Sequence, residues 1–165
     1  MKPAAGALRR AEARDLDAIA KLLGEVFAHH AAIEPAFAVR PEARSKLPGL
    51  LARRLRDPES AVFVFEAAGE LAGFCAVRVE RAPGVLVEAA RAEISELGVA
   101  PGRRRQGVGR ALAEAARGWA ESRAAARVEV RVAARNSEGQ AFWRALGYQP
   151  FVDVLHRRAR PEPTP

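Results

Sequence analysis

The chain has 165 residues, a length that suits one domain around a single core. Apolar residues make up 49% and charged residues 28%, no apolar run approaches the ~20 residues that cross a bilayer, and the N-terminus meets Arg9 and Arg10 without a signal-like apolar stretch, so a cytoplasmic protein is expected. A single cysteine, Cys75, excludes disulfides and thiolate metal sites within one chain; the net charge of +7, with arginines scattered from Arg9 to Arg160 and 6% aromatics, fits a polyanionic ligand better than a nucleic acid.

Residues 7–11 read as a first strand. Asp15 is placed to cap a helix whose apolar residues are Leu16, Ile19, Leu22, Leu23, Val26 and Phe27. Pro35 breaks the irregular segment 29–39. Pro41 stands like the first-turn proline of a second helix, interrupted near Pro48 and Gly49, that runs to Arg56. Residues 61–66 are β-branched and aromatic, 67–70 form a hairpin turn and 71–81 return as a strand. Residues 89–99 form the next strand; a basic turn and a helix to about Ser122 follow, with an apolar stripe of Val108, Leu112, Ala115 and Trp119. Val128, Val130 and Val132 alternate with Arg127, Glu129 and Arg131, which predicts a half-buried strand over 127–133. Residues 136–146 form a helix stopped by Gly147, 151–156 a last strand, and the charged, proline-rich 157–165 a disordered tail beyond a single domain at 1–156.

The turn after Val99 says most about function. Arg103, Arg104 and Arg105 lead through Gln106 to Gly107, Val108, Gly109 and Arg110, where the helix starts. Backbone N–H groups and a helix N-terminus converge there, which suits a phosphate. Gly107 and Gly109 lack a Cβ and let a ligand approach the main chain. A nucleoside-triphosphate loop needs a lysine and a hydroxyl after its second glycine, and a dinucleotide loop a third glycine; neither is present.

Arg104-Arg105-Gln106-Gly107-Val108-Gly109 resembles the R/Q-x-x-G-x-G/A loop of the GCN5-related N-acetyltransferase (GNAT) superfamily. The element order βααβββαβαβ is that of the family over residues 7–156. The resemblance implies an α/β (α+β) fold with a mixed central sheet of six to seven strands flanked by about four helices. It implies that acetyl-CoA is the co-substrate, its pyrophosphate held by the backbone from Arg105 to Arg110 with Arg104 at the first motif position, and that no metal takes part. It also implies an oxyanion donor at the amide of Leu97, and pairing of pantetheine with the backbone at Gly98 and Val99.

The run from Asn136 to Tyr148 resembles the family's last motif, in which the asparagine contacts pantetheine. Asn136 is also a good N-cap in its own right. The tyrosine that many relatives carry five residues before the terminal aromatic is replaced by Trp143, whose indole is a donor only and no proton-transfer acid. Trp143 is therefore assigned to packing at the pantetheine region or the core.

Acetyl transfer to an amine needs a neutral nucleophile, and Glu96 or Glu93, upstream of the loop, suits the base. Three positions apart, they share a strand face only across a β-bulge, for which Gly98 is a suitable place. His29, His30, Glu34 and Phe37 fall where relatives form the acceptor wall; with Glu88, Glu93 and Glu96 they suggest an acidic mouth for a cationic amine. The expected partner is a small-molecule or peptide amine, with neither nucleic acid nor membrane, and a homodimer is left open. Two other readings stand: a non-catalytic acyl-CoA-binding domain of the same fold, and a small basic nucleic-acid-binding protein using Arg103 to Arg105.

Overall fold

Alternation along the second and third strands, reset by an irregularity at Phe65/Glu66, buries both faces of one sheet. In a computed structural model, which describes residues 6–157, that sheet holds β1 (Ala7–Arg10), β2 (Ser60–Ala67), β3 (Glu70–Arg81), β4 (Ala90–Val99) and β5 (Val128–Val130), in that spatial order. The first four are antiparallel neighbours, and β5 runs parallel to β4. Four helices join them: α1 (Leu16–Ile33), α2 (Leu47–Arg56), α3 (Val108–Ser122) and α4 (Ser137–Ala145).

Val62, Val64, Phe74 and Ala76 point to α1 and α2, where Ile19, Leu23 and Leu51 meet them. Ala61, Phe65, Cys75 and Val77 point the other way, to α3 and Trp143 of α4. A strand covered on both sides reads as a near-continuous apolar run, as β2 and β3 do. The Cys75 thiol is fully buried, and burial raises its pKa far above that of a reactive thiol.

On α3 the buried line is Val108, Leu112, Ala113, Ala116 and Ala120, with Ala115 and Trp119 on its flank. Small alanines let the helix lie close to the sheet, while Trp119 stays half out, with the Arg10 and Arg123 guanidinium groups 5.8 and 5.4 Å from its ring. The second helix divides as its prolines dictate: a 3-10 segment over Pro41–Lys46, then α2 with Pro48 in its first turn.

The sheet has five strands rather than six or seven. Residues 151–156 form no strand, because the outer β5 edge is three residues long and offers few ladder bonds. Phe151, Val152, Val154 and Leu155 remain exposed, with Phe151 lying under the Arg127 guanidinium at 4.8 Å. Of the expected tail at 157–165, all but Arg157 lies outside the described residues.

Candidate active site

The site begins where two strands part. β4 and β5 pair at Ala92–Val128, Glu93–Glu129 and Ile94–Val130, and there the ladder ends. β4 continues to Val99 with no strand paired to that edge among the described residues, so Glu96, Leu97, Gly98 and Val99 line an open seam. Free N–H and C=O groups on a strand edge are ready to pair with an extended ligand.

The seam opens at a bulge. Opposite β3, Glu96 pairs with Ala76 and Ile94 with Val77, so Ser95 is the extra residue. The bulge falls at Ser95 rather than at Gly98, whose lack of a side chain has another cause: a Cβ there would sit 2.7 Å from Phe74 and 2.9 Å from Val26. The extra residue resets the alternation, so Glu93 and Glu96 share the face that looks toward α1 and α2.

Each carboxylate is held by arginine. Arg54, on the flank of α2 beside buried Leu51, donates Nη2–H to Glu96 Oε1 at 3.0 Å and Nη1–H to Oε2; the Ser95 hydroxyl also donates to Oε2. Glu93 is only 8% exposed and accepts from Arg78 Nη2 at 2.9 Å. Arg131 Nε lies 3.7 Å from its other oxygen. None of these three arginines is marked in the sequence by a motif, since their partners lie on other elements.

Past Val99, a 3-10 turn over Pro101–Arg103 carries the chain to the N-terminus of α3. Arg105 has φ of 60° and Gly107, the N-cap, φ of 85°. Two left-handed residues in one turn point successive amides inward, and among the described residues no protein acceptor takes the amides of Arg105, Gln106, Gly107, Val108, Gly109 or Arg110. Val108 is buried and anchors the turn, while Arg104, Arg105 and Arg110 are exposed. Arg104 Nε donates to the Val99 carbonyl at 3.3 Å, tying the loop to the strand end, and Gln106 Nε2 donates to the Gly102 carbonyl at 3.0 Å. Gly109 lies under the Phe142 ring of α4.

Across the seam Asn136 caps α4. It is buried, and its Oδ1 accepts from the Gly139 amide at 2.9 Å. Trp143 stands edge-on between Phe142 and Tyr148, with ring centroids 5.0 and 5.1 Å away, in the core under α3. Burial pushes the Tyr148 hydroxyl up to about 12, and among the described residues it has no hydrogen-bond partner.

The sequence and the fold that carry this site are both matched by known proteins. The sequence pattern of the Acetyltransferase (GNAT) family fits residues 16–148. The chain belongs to this family. A mycothiol acetyltransferase of Clavibacter sepedonicus is 33% identical over 129 residues, which are 75% of this chain. The chain spans about 40% of the length of that curated relative. A mutant of the BH1408 protein of Bacillus halodurans superposes with a TM-score of 0.84 at 21% identity, over 93% of this chain and 99% of that one. An aminoglycoside N-acetyltransferase solved with CoA gives 0.72 at 17% identity, over the same shares.

In this GNAT chain α1 runs through His29 and His30 to Ile33, into the segment expected to be irregular from residue 29; the two rings are 5.9 Å apart, and Phe37 lies 6.3 Å from His30. Burial, and then His29, lower the His30 pKa and keep its ring neutral at pH 7. Glu34 caps the following turn and lies 3.9 Å from Arg135 of the β5–α4 connection. The mouth is not acidic. Glu93 and Glu96 are paired as described, and Glu88 lies before β4 at the opposite end of the strand, bound to Arg127. Among the described residues no helix is long and apolar enough to cross a membrane.

Proposed function

We propose that this chain transfers the acetyl group of acetyl-CoA to a primary amine by direct attack in a ternary complex. The observation that carries this is the seam opening after Ile94–Val130, at whose end lie the uncommitted amides from Arg105 to Arg110. Those amides and the α3 dipole are suited to the pyrophosphate, with Arg104, Arg105 and Arg110 supplying charge. The free β4 edge at Gly98 and Val99 is suited to pantetheine, with Asn136, the N-cap of α4, assigned a second contact to it.

The amine nitrogen attacks the thioester carbonyl carbon. A C–N bond forms, the C–S bond breaks and CoA departs as thiolate. The proton lost by the ammonium before attack passes to Glu96 directly or through water, with Glu93 the second carboxylate on the same face, and the proton that nitrogen sheds as the amide forms goes, through water, to the departing thiolate. The Leu97 amide is assigned the oxyanion. A tyrosine acid has no place here: Trp143 and Tyr148 belong to the core. A thiol of pKa ~8.5 needs little help to leave. The same observation about Trp143 and Tyr148 supports a second reading, a domain that binds acyl-CoA without turnover.

Calorimetry with acetyl-CoA, followed by thiol release over an amine panel, tests both. Micromolar binding with amine-dependent thiol release is expected. Binding without release on any amine selects the second reading, and no binding removes both. The cytoplasmic location and the single-domain extent at 1–156 are part of the proposal.

A further inference from the structure

We infer that the acceptor is an amine that also carries an anionic group, a carboxylate or a phosphate, and that Arg131 holds this anion at the foot of the seam. This rests on the acetyl-transfer reading above. Arg131 directly follows Val130, the last paired residue of β5, so it stands where the strands part. Its Nε is 3.7 Å from Glu93 Oε1, but Glu93 already accepts from Arg78 at 2.9 Å. Among the described residues Arg131 makes no hydrogen bond, and its side chain is 73% exposed. It is a loosely held cation at the point where the strands part.

The surrounding charges favour an anion there. Glu96 is committed to Arg54, Glu80 to Arg78 and Arg91, and Glu129 to Arg91 and Arg127. Burial works against ionisation of Glu129, but Arg127 and Arg91 outweigh it and hold its pKa below the usual carboxylate range. Every carboxylate on this part of the sheet face thus has a guanidinium, and a polycationic acceptor would have to displace arginines to bind. A zwitterion brings a single ammonium, which has to share one carboxylate with one arginine. Its ammonium lies against Glu96, and its anion takes the flat donor fork of Arg131, which matches carboxylate and phosphate geometry. Neighbouring strands stand ~5 Å apart and more where they diverge, a span that a few covalent bonds of an amino acid or a short phosphorylated amine would cover.

Thiol release should be measured on a matched series: an amino acid, its primary amide, the decarboxylated amine, an aminoalkyl phosphate, spermidine and an aminoglycoside. The anionic amines are expected to exceed the amide in kcat/KM by about tenfold to a hundredfold, the worth of one charged hydrogen-bonding pair. The carboxylate and phosphate arms then tell which anion is preferred. Arg131→Gln should bring that ratio close to one, chiefly by raising KM for the anionic acceptor, while Arg131→Lys keeps part of it. Preference for spermidine or the aminoglycoside, equal use of amide and acid, or a preference that survives Arg131→Gln would overturn the inference. Acetyl-CoA binding is followed in parallel by calorimetry. Its loss removes the acetyl-transfer reading and this inference with it, whereas binding without anion preference removes this inference alone.

Discussion

Arg54 grips both carboxylate oxygens of Glu96, a residue 42 positions further along the chain. This pairing fixes the carboxylate against the sheet at the mouth of the seam, because α2 is itself anchored by Leu47 and Leu51. Glu96→Gln keeps the shape and removes the proton acceptor. Turnover is expected to fall ~100-fold or more with acetyl-CoA affinity unchanged. A steady-state comparison with Glu93→Gln checks this, and equal or greater loss in the Glu93 variant reassigns the base.

Arg54→Gln leaves Glu96 with only the Ser95 hydroxyl. Stability should drop by about 1–3 kcal/mol, read from the denaturation midpoint. kcat should fall several-fold in a steady-state assay as well, since the carboxylate is no longer held at the mouth of the seam. An unmoved kcat would show that the pairing holds the helix rather than the site.

Gly107 has the left-handed φ of 85° that caps α3. Valine there carries a strain of about 1–2 kcal/mol, and the cheapest relief is to turn the amides of the loop away from one another. The acetyl-CoA dissociation constant should rise about tenfold by calorimetry, while the melting temperature changes little. Unaltered affinity would place the pyrophosphate elsewhere.

Trp143 is wedged between Phe142 and Tyr148. Trp143→Ala should cost about 3–5 kcal/mol of stability, and Trp143→Phe far less. If the ring has no acid role, kcat of the Phe variant stays within a few-fold of the parent in a thiol-release assay.

Asp15 joins the first strand to the first helix. It accepts from Arg9 at 2.7 and 2.9 Å and from the Glu12 amide at 2.7 Å. The Arg9 bonds, against the opposing effect of burial, hold its carboxyl below the ordinary 3.8. A lowered folded-state pKa stabilises fully above that value and less as pH falls through the folded pKa. The parent should therefore lose stability below about pH 4, whereas Asp15→Asn should be weaker by about 1–3 kcal/mol at pH 7 and show a flatter acid limb in urea titrations.

The turn before α3 was legible because its signals are local: Arg104, Gly107 and the stripe that begins at Val108 follow one another directly along the chain. The strands β2 and β3 were legible as apolar, β-branched and aromatic runs, but their faces were not, because helices cover both sides and the central positions are all apolar. The bulge was foreseen as a condition for bringing Glu93 and Glu96 together, but not its position. Which residue of a strand is skipped depends on the partner strand's register, and the absence of a Cβ at Gly98 answers to Phe74 and Val26 instead. The arginine partners were invisible for a related reason. A chain with arginine almost everywhere gives no sign of which one folds onto which glutamate. The 151–156 segment has the composition of a strand, yet composition does not reveal that the edge beside it is three residues long.

The short pairing of β4 with β5 makes the domain mechanically two-sided: a well-laced antiparallel plate, and a narrower unit of β5 and α4 laced to it by three register pairs and packed on it through Trp143. Substitutions that extend the lacing past Val130 would make the molecule sturdier while closing the slot its substrates need. Selection for stability and selection for turnover therefore pull in opposite directions at Arg131, Val132 and Ala133, and a thermostabilised variant with changes there would be expected to bind acetyl-CoA less well.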